Sequence, residues 1–385
     1  VPLPQKPLNV RTRFMIAHAH PPQGAERASC VSAAGTVPAD RTPVLASDAE
    51  VFLFINGMDG RLEEAMDLTH ELHKLGKKRG KNYTVIAMDL PTAGYADNID
   101  PNKIAPLTAS GRAGGGVDGL GFAANNGYVV PIVDFTENFV VSFVNTLNKY
   151  VPVATHIKAV IGGSLGGNMA FRLGRPRPDA PWVNTVVPWS PAAIWPSLAD
   201  DPLSRVGLAV PWYLAGGEPS FAVESPGARR SFFFGGFDWN NMVLGKFPIA
   251  GGAPQAYYWS REGWPCKKLG VRLARIDRYE TYDHNFRLWH WRLAMEQMLF
   301  SQRNPTPGSN PAHPQPLYLS NTKRMLLLCG MDDIGGNLCE DTREVAANMK
   351  MTPGRGMFLK TTGHSLDSER PRFLAEQIVN FLDGH

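Results

Sequence analysis

The chain has 385 residues, of which 43% are apolar and 19% are charged, a balance typical of a globular protein with a sizeable core. The formal net charge is +4, and the basic residues are scattered, which argues against a nucleic-acid-binding surface. No apolar run approaches the length of a transmembrane helix, so we expect no membrane-spanning segment.

Short apolar runs alternate with amphipathic helical patterns along most of the chain. A first pair of strands, at residues 9–19 and 28–33, is expected to form an antiparallel hairpin. Buried parallel strands are predicted at residues 51–55, 83–88, 159–161, 184–189, 324–329 and 354–359. Helices are predicted at residues 62–75, where Gly76 ends the pattern, and at 131–150, 168–173, 282–300 and 370–383. This order predicts an α/β fold with a mostly parallel central sheet flanked by helices.

The stretch 157–170 has the most informative local pattern. An apolar run at 159–161 is followed by a tight Gly-x-Ser-x-Gly turn at 162–166 and then by a helical run. A strand, a tight turn and a helix, in that order, are what a nucleophile elbow requires, and they would leave Ser164 exposed above the sheet. A bare Gly-x-Ser-x-Gly can also be an ordinary turn, but this context favours a nucleophilic serine.

On these residues the sequence resembles the α/β-hydrolase superfamily. The run Gly162-Gly163-Ser164-Leu165-Gly166-Gly167 is most similar to the elbow of homoserine O-acetyltransferase-like members. The resemblance covers roughly residues 50–190 and 324–385. It implies the α/β-hydrolase fold and acyl chemistry that begins at Ser164.

The glycine-rich stretch after the strand at 51–55 resembles the family's H-G-x-x-G loop, with Asn56 in place of the histidine. The resemblance implies that the Met58 N–H is one donor of an oxyanion hole and that the Leu165 N–H is the other. The glycines could instead form a plain strand-to-helix turn. The oxyanion interpretation is favoured because the elbow lies downstream at the family's spacing.

Two further loops match the family's acid and histidine positions. The family's acid usually stands three residues after a glycine, which here selects Asp333 after Gly330, with Asp332 as the alternative register. His364 follows Gly363 in the loop after the last strand. The chain order Ser164, Asp333, His364 is the serine–acid–histidine order of this superfamily.

Residues 191–320 match no part of the pattern and are predicted to form a cap or lid inserted between the two parts of the core, 1–190 and 321–385. The insertion is rich in Phe, Tyr and Trp, which predicts an apolar wall over part of the substrate pocket. We therefore expect a small-molecule or polymeric ester substrate of hydrophobic character.

The expected activity is that of a serine hydrolase that cleaves a carboxylic ester through an acyl-enzyme. An acyltransferase of the homoserine type, an amide or C–C bond hydrolase, and a catalytically inactive binding protein remain open alternatives. We expect no cofactor, because the G-x-G-x-x-A run at 119–124 neither follows a predicted strand nor opens a helix. His18 and His20 have a spacing that could bind metal, but the end of a strand explains them better.

Four cysteines permit two disulfides of unknown pairing: Cys30, Cys266, Cys329 and Cys339. The first residue is Val1 rather than Met, which a removed signal peptide would explain. These observations favour a secreted or periplasmic protein, with a reduced cytoplasmic protein as the alternative.

Overall fold

A computed structural model describes residues 8–21, 43–57, 62–94, 96–101, 132–192, 194, 230–231, 237–238, 289, 293, 323–331, 338–351, 355–360 and 362–384. Its strands are β1 Phe14–His18, β2 Ala49–Ile55, β3 Asn82–Met88, β4 Ile157–Gly163, β5 Thr185–Trp189, β6 Arg230–Ser231, β7 Phe237–Asp238, β8 Arg324–Met325, β9 Leu327–Gly330 and β10 Gly356–Leu359. Its α-helices are α1 Met66–Arg79, α2 Ile132–Leu147, α3 Val153–His156, α4 Ser164–Leu173, α5 Leu338–Asn348, α6 Leu366–Glu369 and α7 Pro371–Asp383. A 3₁₀ turn, Leu62–Ala65, leads into α1.

One sheet contains eight of these strands, in the order β1-β3-β2-β4-β5-β9-β10, with β8 paired to β5. β1 runs antiparallel to β3, and the other pairings are parallel. The mostly parallel sheet predicted from the sequence is therefore confirmed. The strand at 9–19 is present as β1, whereas its expected partner at 28–33 lies outside the described residues. The parallel strands all end at one edge of the sheet, and that edge is where ligand sites form in open α/β folds.

Helices cover both faces of the sheet, so the alternating side chains of each central strand pack in two separate apolar cores. In β2, Leu53 and Ile55 pack in the core that contains α2 and α4. Phe52 and Phe54, on the opposite face, pack in the core that contains α1 and α7. All four side chains are at most 1% exposed. This two-sided burial explains why β2 is an uninterrupted apolar run in the sequence.

α1 continues beyond the end predicted at Gly76. Its last residue is Arg79, and Gly80 forms the C-terminal cap in the left-handed conformation, with a φ of 64°. Gly76 is buried inside the helix, where a Cβ would lie 2.7 Å from the Lys81 carbonyl oxygen. The prediction was wrong because this glycine permits close packing rather than helix termination.

A buried cluster of charges joins α2 to the end of α4. The Glu137 carboxylate lies 2.7 Å from Arg172 Nε and 2.6 Å from Arg175 Nη2, and it also contacts Arg177. Burial alone would raise the pKa of Glu137, but the three guanidinium groups lower it overall. The cluster therefore fixes the helix that begins at Ser164 against its neighbour.

Most of the predicted insertion, 191–320, lies outside the described residues, so the domain division stays a prediction. Trp289 and Leu293 are helical and buried, in agreement with the helix predicted at 282–300. The ring of Trp289 packs edge-on against Phe135 in the first turn of α2, with the centroids 5.6 Å apart. Among the helices that the structure describes, none is both long enough and apolar enough to cross a membrane.

Cys329 and Cys339 are buried thiols, and the other two cysteines lie outside the described residues. If the protein is exported, the remaining candidate pair is Cys30 with Cys266. We therefore expect thiol titration of denatured, unreduced protein from its native compartment to give two free thiols of the four cysteines. A reduced sample is the control and should give all four, and four thiols without reduction would contradict the disulfide.

Candidate active site

The turn between β4 and α4 carries Ser164. β4 ends at Gly163 and α4 begins at Ser164, so the predicted order of strand, turn and helix is confirmed. Ser164 has a φ of 54°, in the left-handed region that costs a residue with a side chain about 1–3 kcal/mol. Within residues 162–166 Ser164 alone is partly exposed, and its neighbours are buried. The fold therefore holds one strained, accessible serine at the carboxyl edge of the sheet.

Ser164 is itself the first residue of α4 and belongs to the first turn of this helix. The Ala192 N–H donates to the Ser164 carbonyl at 3.0 Å, and Asn168 Nδ2 donates to the Ala192 carbonyl at 2.7 Å. Leu165 is the second residue of the helix, and the residue at the N-cap, Gly163, has no side chain with which to cap it. Because the N-terminal end of a helix favours negative charge, this turn is suited to an oxyanion that forms at Ser164.

The loop after β2 passes close to the serine. A Cβ at Gly57 would lie 3.8 Å from the Ser164 Cβ, so the main chain of this loop borders the nucleophile. The Gly57 N–H donates to Glu64 Oε2 at 3.2 Å. The Asn56 side-chain amide donates to the Met88 carbonyl at 2.6 Å, which ties the ends of β2 and β3 together. Asn56, at the position where the resemblance implies a histidine, is therefore a buried structural link.

Asp89, directly after β3, fixes the far end of the same loop. Its Oδ1 accepts the Leu62 N–H at 2.9 Å, and its Oδ2 lies 3.0 Å from Arg13 Nε. Asp89 is fully buried. Both ends of the segment that contains Met58 are thus held in place, although Met58 itself lies outside the described residues.

The loop after β10 carries His364. Within residues 362–366 His364 alone is partly exposed, as Ser164 is in its own turn. The N–H groups on either side of it, of Gly363 and Ser365, donate to the Glu369 carboxylate at 2.8 and 3.1 Å. One carboxylate therefore anchors the main chain before and after the histidine and leaves the imidazole accessible.

β9 ends against this histidine loop. A Cβ at Gly330, the last residue of β9, would lie 2.9 Å from the Gly363 carbonyl carbon, so only glycine allows the two main chains to approach this closely. Asp332 and Asp333 follow within three residues but lie outside the described residues. The loop that follows β9 thus begins in direct contact with the residue before His364.

Solved structures of potato epoxide hydrolase share this architecture. A laboratory-evolved variant is 15% identical, with 88% of this chain and 94% of that chain covered and a TM-score of 0.53. A mutant of the Solanum tuberosum enzyme is 12% identical, with the same coverage and a TM-score of 0.51. The chain has the α/β-hydrolase fold. The enol-lactonase from Burkholderia xenovorans is 12% identical over 97% of both chains, with a TM-score of 0.48. No family model matches the sequence, and no curated protein matches it significantly.

The α/β-hydrolase fold predicted from the sequence is therefore confirmed. Ser164 and Leu165 directly follow β4, His364 lies in the loop after β10, and these two strands end on the same edge of the sheet. Since Met58 and Asp333 are not described, the triad and the oxyanion hole stay predictions.

The α/β-hydrolase core also contains a carboxyl group that the sequence did not single out. Asp367, in α6, is 6% exposed and lies three residues after His364. Its pKa is raised to about 7, chiefly by burial and to a smaller extent by the Asp67 carboxylate, although its own main-chain N–H, the Trp189 indole and His364 act to lower it. An aspartate at the start of a short helix suggests an exposed capping residue, so only the tertiary structure reveals its burial.

The alternative of a metal site at His18 finds no support in the contacts of its ring. Nδ1 lies 2.9 Å from Thr84 Oγ1, and Nε2 lies 3.1 Å from the Val44 carbonyl oxygen. Both ring nitrogens are therefore engaged in structural hydrogen bonds. Within the part of the chain that the structure describes, no group of three or more His, Cys, Asp or Glu side chains could hold a metal ion.

Proposed function

We propose that this chain is a serine hydrolase that cleaves a carboxylic ester of a hydrophobic substrate. Ser164 is the nucleophile, His364 is the general base and acid, and Asp333 orients the imidazole. The main-chain N–H groups of Met58 and Leu165 bind the oxyanion of the tetrahedral intermediate.

The conformation of Ser164 is the observation that carries the proposal. Ser164 combines a left-handed backbone at 54° with partial exposure, whereas Thr92 and Ser190, the other described hydroxyl residues with positive φ, are fully buried. Backbone strain of this kind persists where the surrounding structure enforces it, and it clusters at functional sites. The accessible histidine on a loop at the same edge supplies the base that a neutral serine requires.

The reaction proceeds in two halves. His364 takes the proton of Ser164 as Oγ attacks the ester carbonyl, and it returns that proton to the departing alcohol oxygen as the ester C–O bond breaks. The acyl-serine is then attacked by water, which gives one proton to His364. As the second tetrahedral intermediate collapses, the bond between the acyl carbon and Oγ breaks, His364 returns that proton to Oγ, and the carboxylic acid is released. Negative charge develops on the carbonyl oxygen in both halves, at the N-terminus of α4.

An acyltransferase reaction is the second candidate, and the Gly162–Gly167 run favours it. In that reaction an acceptor alcohol replaces water in the second half. The discriminating experiment supplies acetyl-CoA with and without homoserine and measures both free CoA and the O-acetyl product. Acceptor-dependent CoA release would favour the transferase, whereas ester hydrolysis without acceptor dependence supports the hydrolase.

We expect kcat/KM to rise from p-nitrophenyl acetate to butyrate and octanoate, and benzoate to be accepted better than acetate. Residues 191–320 are rich in Phe, Tyr and Trp, and this composition supports an apolar wall near Ser164. Each buried methylene should contribute up to about 0.8 kcal/mol of transition-state binding, about fourfold in kcat/KM, until the pocket is full.

The control for this series is the spontaneous hydrolysis rate of each ester, which removes differences in intrinsic reactivity. A steep fall in kcat/KM from acetate onwards would contradict the hydrophobic pocket and would favour the acetyltransferase-like alternative.

A further inference from the structure

The three residues after β5, 190–192, bind to the helix that begins at Ser164, and we call them the bridge segment. Ala192 uses both of its main-chain polar groups on this helix. Its N–H donates to the Ser164 carbonyl at 3.0 Å, and its carbonyl accepts a hydrogen bond from Asn168 Nδ2 at 2.7 Å. These two positions lie about one turn apart on α4, so the bridge segment is held at two points rather than one.

The bridge segment is packed on the helix as well as bonded to it. A Cβ at Gly167 would lie 2.9 Å from the Trp189 carbonyl oxygen and 3.1 Å from Pro191 Cα. Any side chain here would push the two main chains apart, so glycine is what lets them approach. The contact between α4 and the bridge segment is therefore close along its whole length.

The first residue of the bridge segment is tied to β9. The Ser190 N–H donates to the Leu328 carbonyl at 2.8 Å. Ser190 is fully buried and has a φ of 39°, so it is strained in the same left-handed region as Ser164. Strain of this kind persists only where the surrounding structure enforces it. The bridge segment thus joins the nucleophile turn to the strand that leads to the predicted acid.

The turn at Ser164 is held at a second place by the end of β2. A Cβ at Gly166 would lie 2.0 Å from the Ile55 carbonyl oxygen, so the two main chains are in direct contact there. That contact is made by main chain alone. In the contact with the bridge segment, by comparison, the side chain of Asn168 supplies one of the two hydrogen bonds, and a substitution can remove it.

The burial of Asn168 indicates that its donor has a purpose. The residue is 1% exposed, and within the part of the chain that the structure describes its Oδ1 has no hydrogen-bond partner. A buried amide that is only half satisfied costs free energy that an apolar side chain would not. Its presence is explained if the bond from Nδ2 to Ala192 is what the site requires.

We propose that Asn168 is a positioning residue that, through Ala192, holds Ser164 in its left-handed conformation. This inference rests on the proposed function, because the conformation affects a rate only if Ser164 Oγ is the nucleophile. Without the bond from Asn168, Ala192 withdraws its N–H from the Ser164 carbonyl and the turn relaxes. A displacement of the reacting atoms by about 1 Å can cost on the order of a hundredfold in rate.

Hydrogen–deuterium exchange tests this contact without any substrate. The Ala192 N–H should exchange slowly in the parent protein and at least about tenfold faster in Asn168→Leu, which has a similar shape but no donor. The matched control is Asn145→Leu, which removes a bond of the same kind, from Asn145 Nδ2 to the Asp179 carbonyl at 3.0 Å. This control should leave the exchange of Ala192 unchanged. Equal exchange in the parent and in Asn168→Leu would overturn the proposal.

Kinetics then test the positioning role. Asn168→Leu should lower kcat for p-nitrophenyl butyrate roughly 10- to 100-fold with KM nearly unchanged, whereas Asn145→Leu should keep the parent kcat. Each rate is divided by the amount of Ser164 that a fluorophosphonate probe labels at completion, so unfolded molecules do not lower kcat. If leucine prevents folding, Asn168→Ala removes the same donor with less volume, and the same losses are expected.

The labelling also separates this inference from the proposed function. A parent protein that is not labelled at Ser164 would overturn the proposed function, and the catalytic role of Asn168 with it, even if the Ala192 N–H is protected from exchange. Labelling at Ser164 together with a parent-like kcat in the Asn168 variants would overturn the positioning role alone.

Discussion

Replacing Ser164 with alanine should reduce ester hydrolysis by at least about three orders of magnitude while the protein still folds. The substitution removes only Oγ, the atom that attacks the carbonyl, and leaves the oxyanion donors and the pocket in place. Alanine must adopt the same φ of 54°, so we expect a stability close to that of the parent. The measurement is kcat/KM for p-nitrophenyl butyrate, with the thermal midpoint as the check on folding.

The matched control is Ser142→Ala, which removes a hydroxyl from the exposed side of α2. This variant should hydrolyse the ester at the parent rate. If Ser164→Ala does so as well, Ser164 is not the nucleophile and the interpretation of its turn is wrong.

The second large effect is expected at the acid. Asp333→Asn should lower kcat by up to about 10⁴-fold, because an asparagine in this place stabilises the wrong imidazole tautomer and cannot balance the imidazolium. Its neighbour offers the control, since Asp332→Asn changes the same chemical group one residue away and should cost far less.

The activities of the Asp333→Asn and Asp332→Asn variants can differ in three distinguishable ways. A large loss at Asp333 alone assigns the acid as proposed, and a reversed pattern moves the role to Asp332. Equal losses would point to a different carboxylate, such as Asp200 after the preceding strand of the sheet.

The sequence predicted the fold well because local signals and tertiary structure agree in most of its elements. Residues 51–55 of β2 and 159–161 of β4 are buried, so each is an apolar run, and the glycines around Ser164 mark the turn between β4 and α4. The strand predicted at 324–329 is divided in the structure at Leu326, whose N–H still donates to the Val186 carbonyl of β5 at 3.1 Å. Such a break depends on pairing between strands and has no local signature.

The parts that were missed depend on contacts between residues far apart in sequence. Asp367 follows His364 in a short helix, and nothing near it in the sequence indicates that it is buried. Glu137 in α2 suggests a solvated helix face, yet the structure buries it among three arginines. Buried polar pairs of this kind become visible only when the elements are assembled.

Activity-based labelling tests the central claim most directly. The folded protein is treated with a fluorophosphonate probe and digested, and the modified residue is identified by mass spectrometry, with heat-denatured protein as the control. We predict a single covalent adduct on Ser164, formed in the folded protein and absent after denaturation, because only the assembled triad and oxyanion hole activate this oxygen. A folded, unlabelled protein, or an adduct on a residue other than Ser164, would contradict the assignment of this serine as the nucleophile.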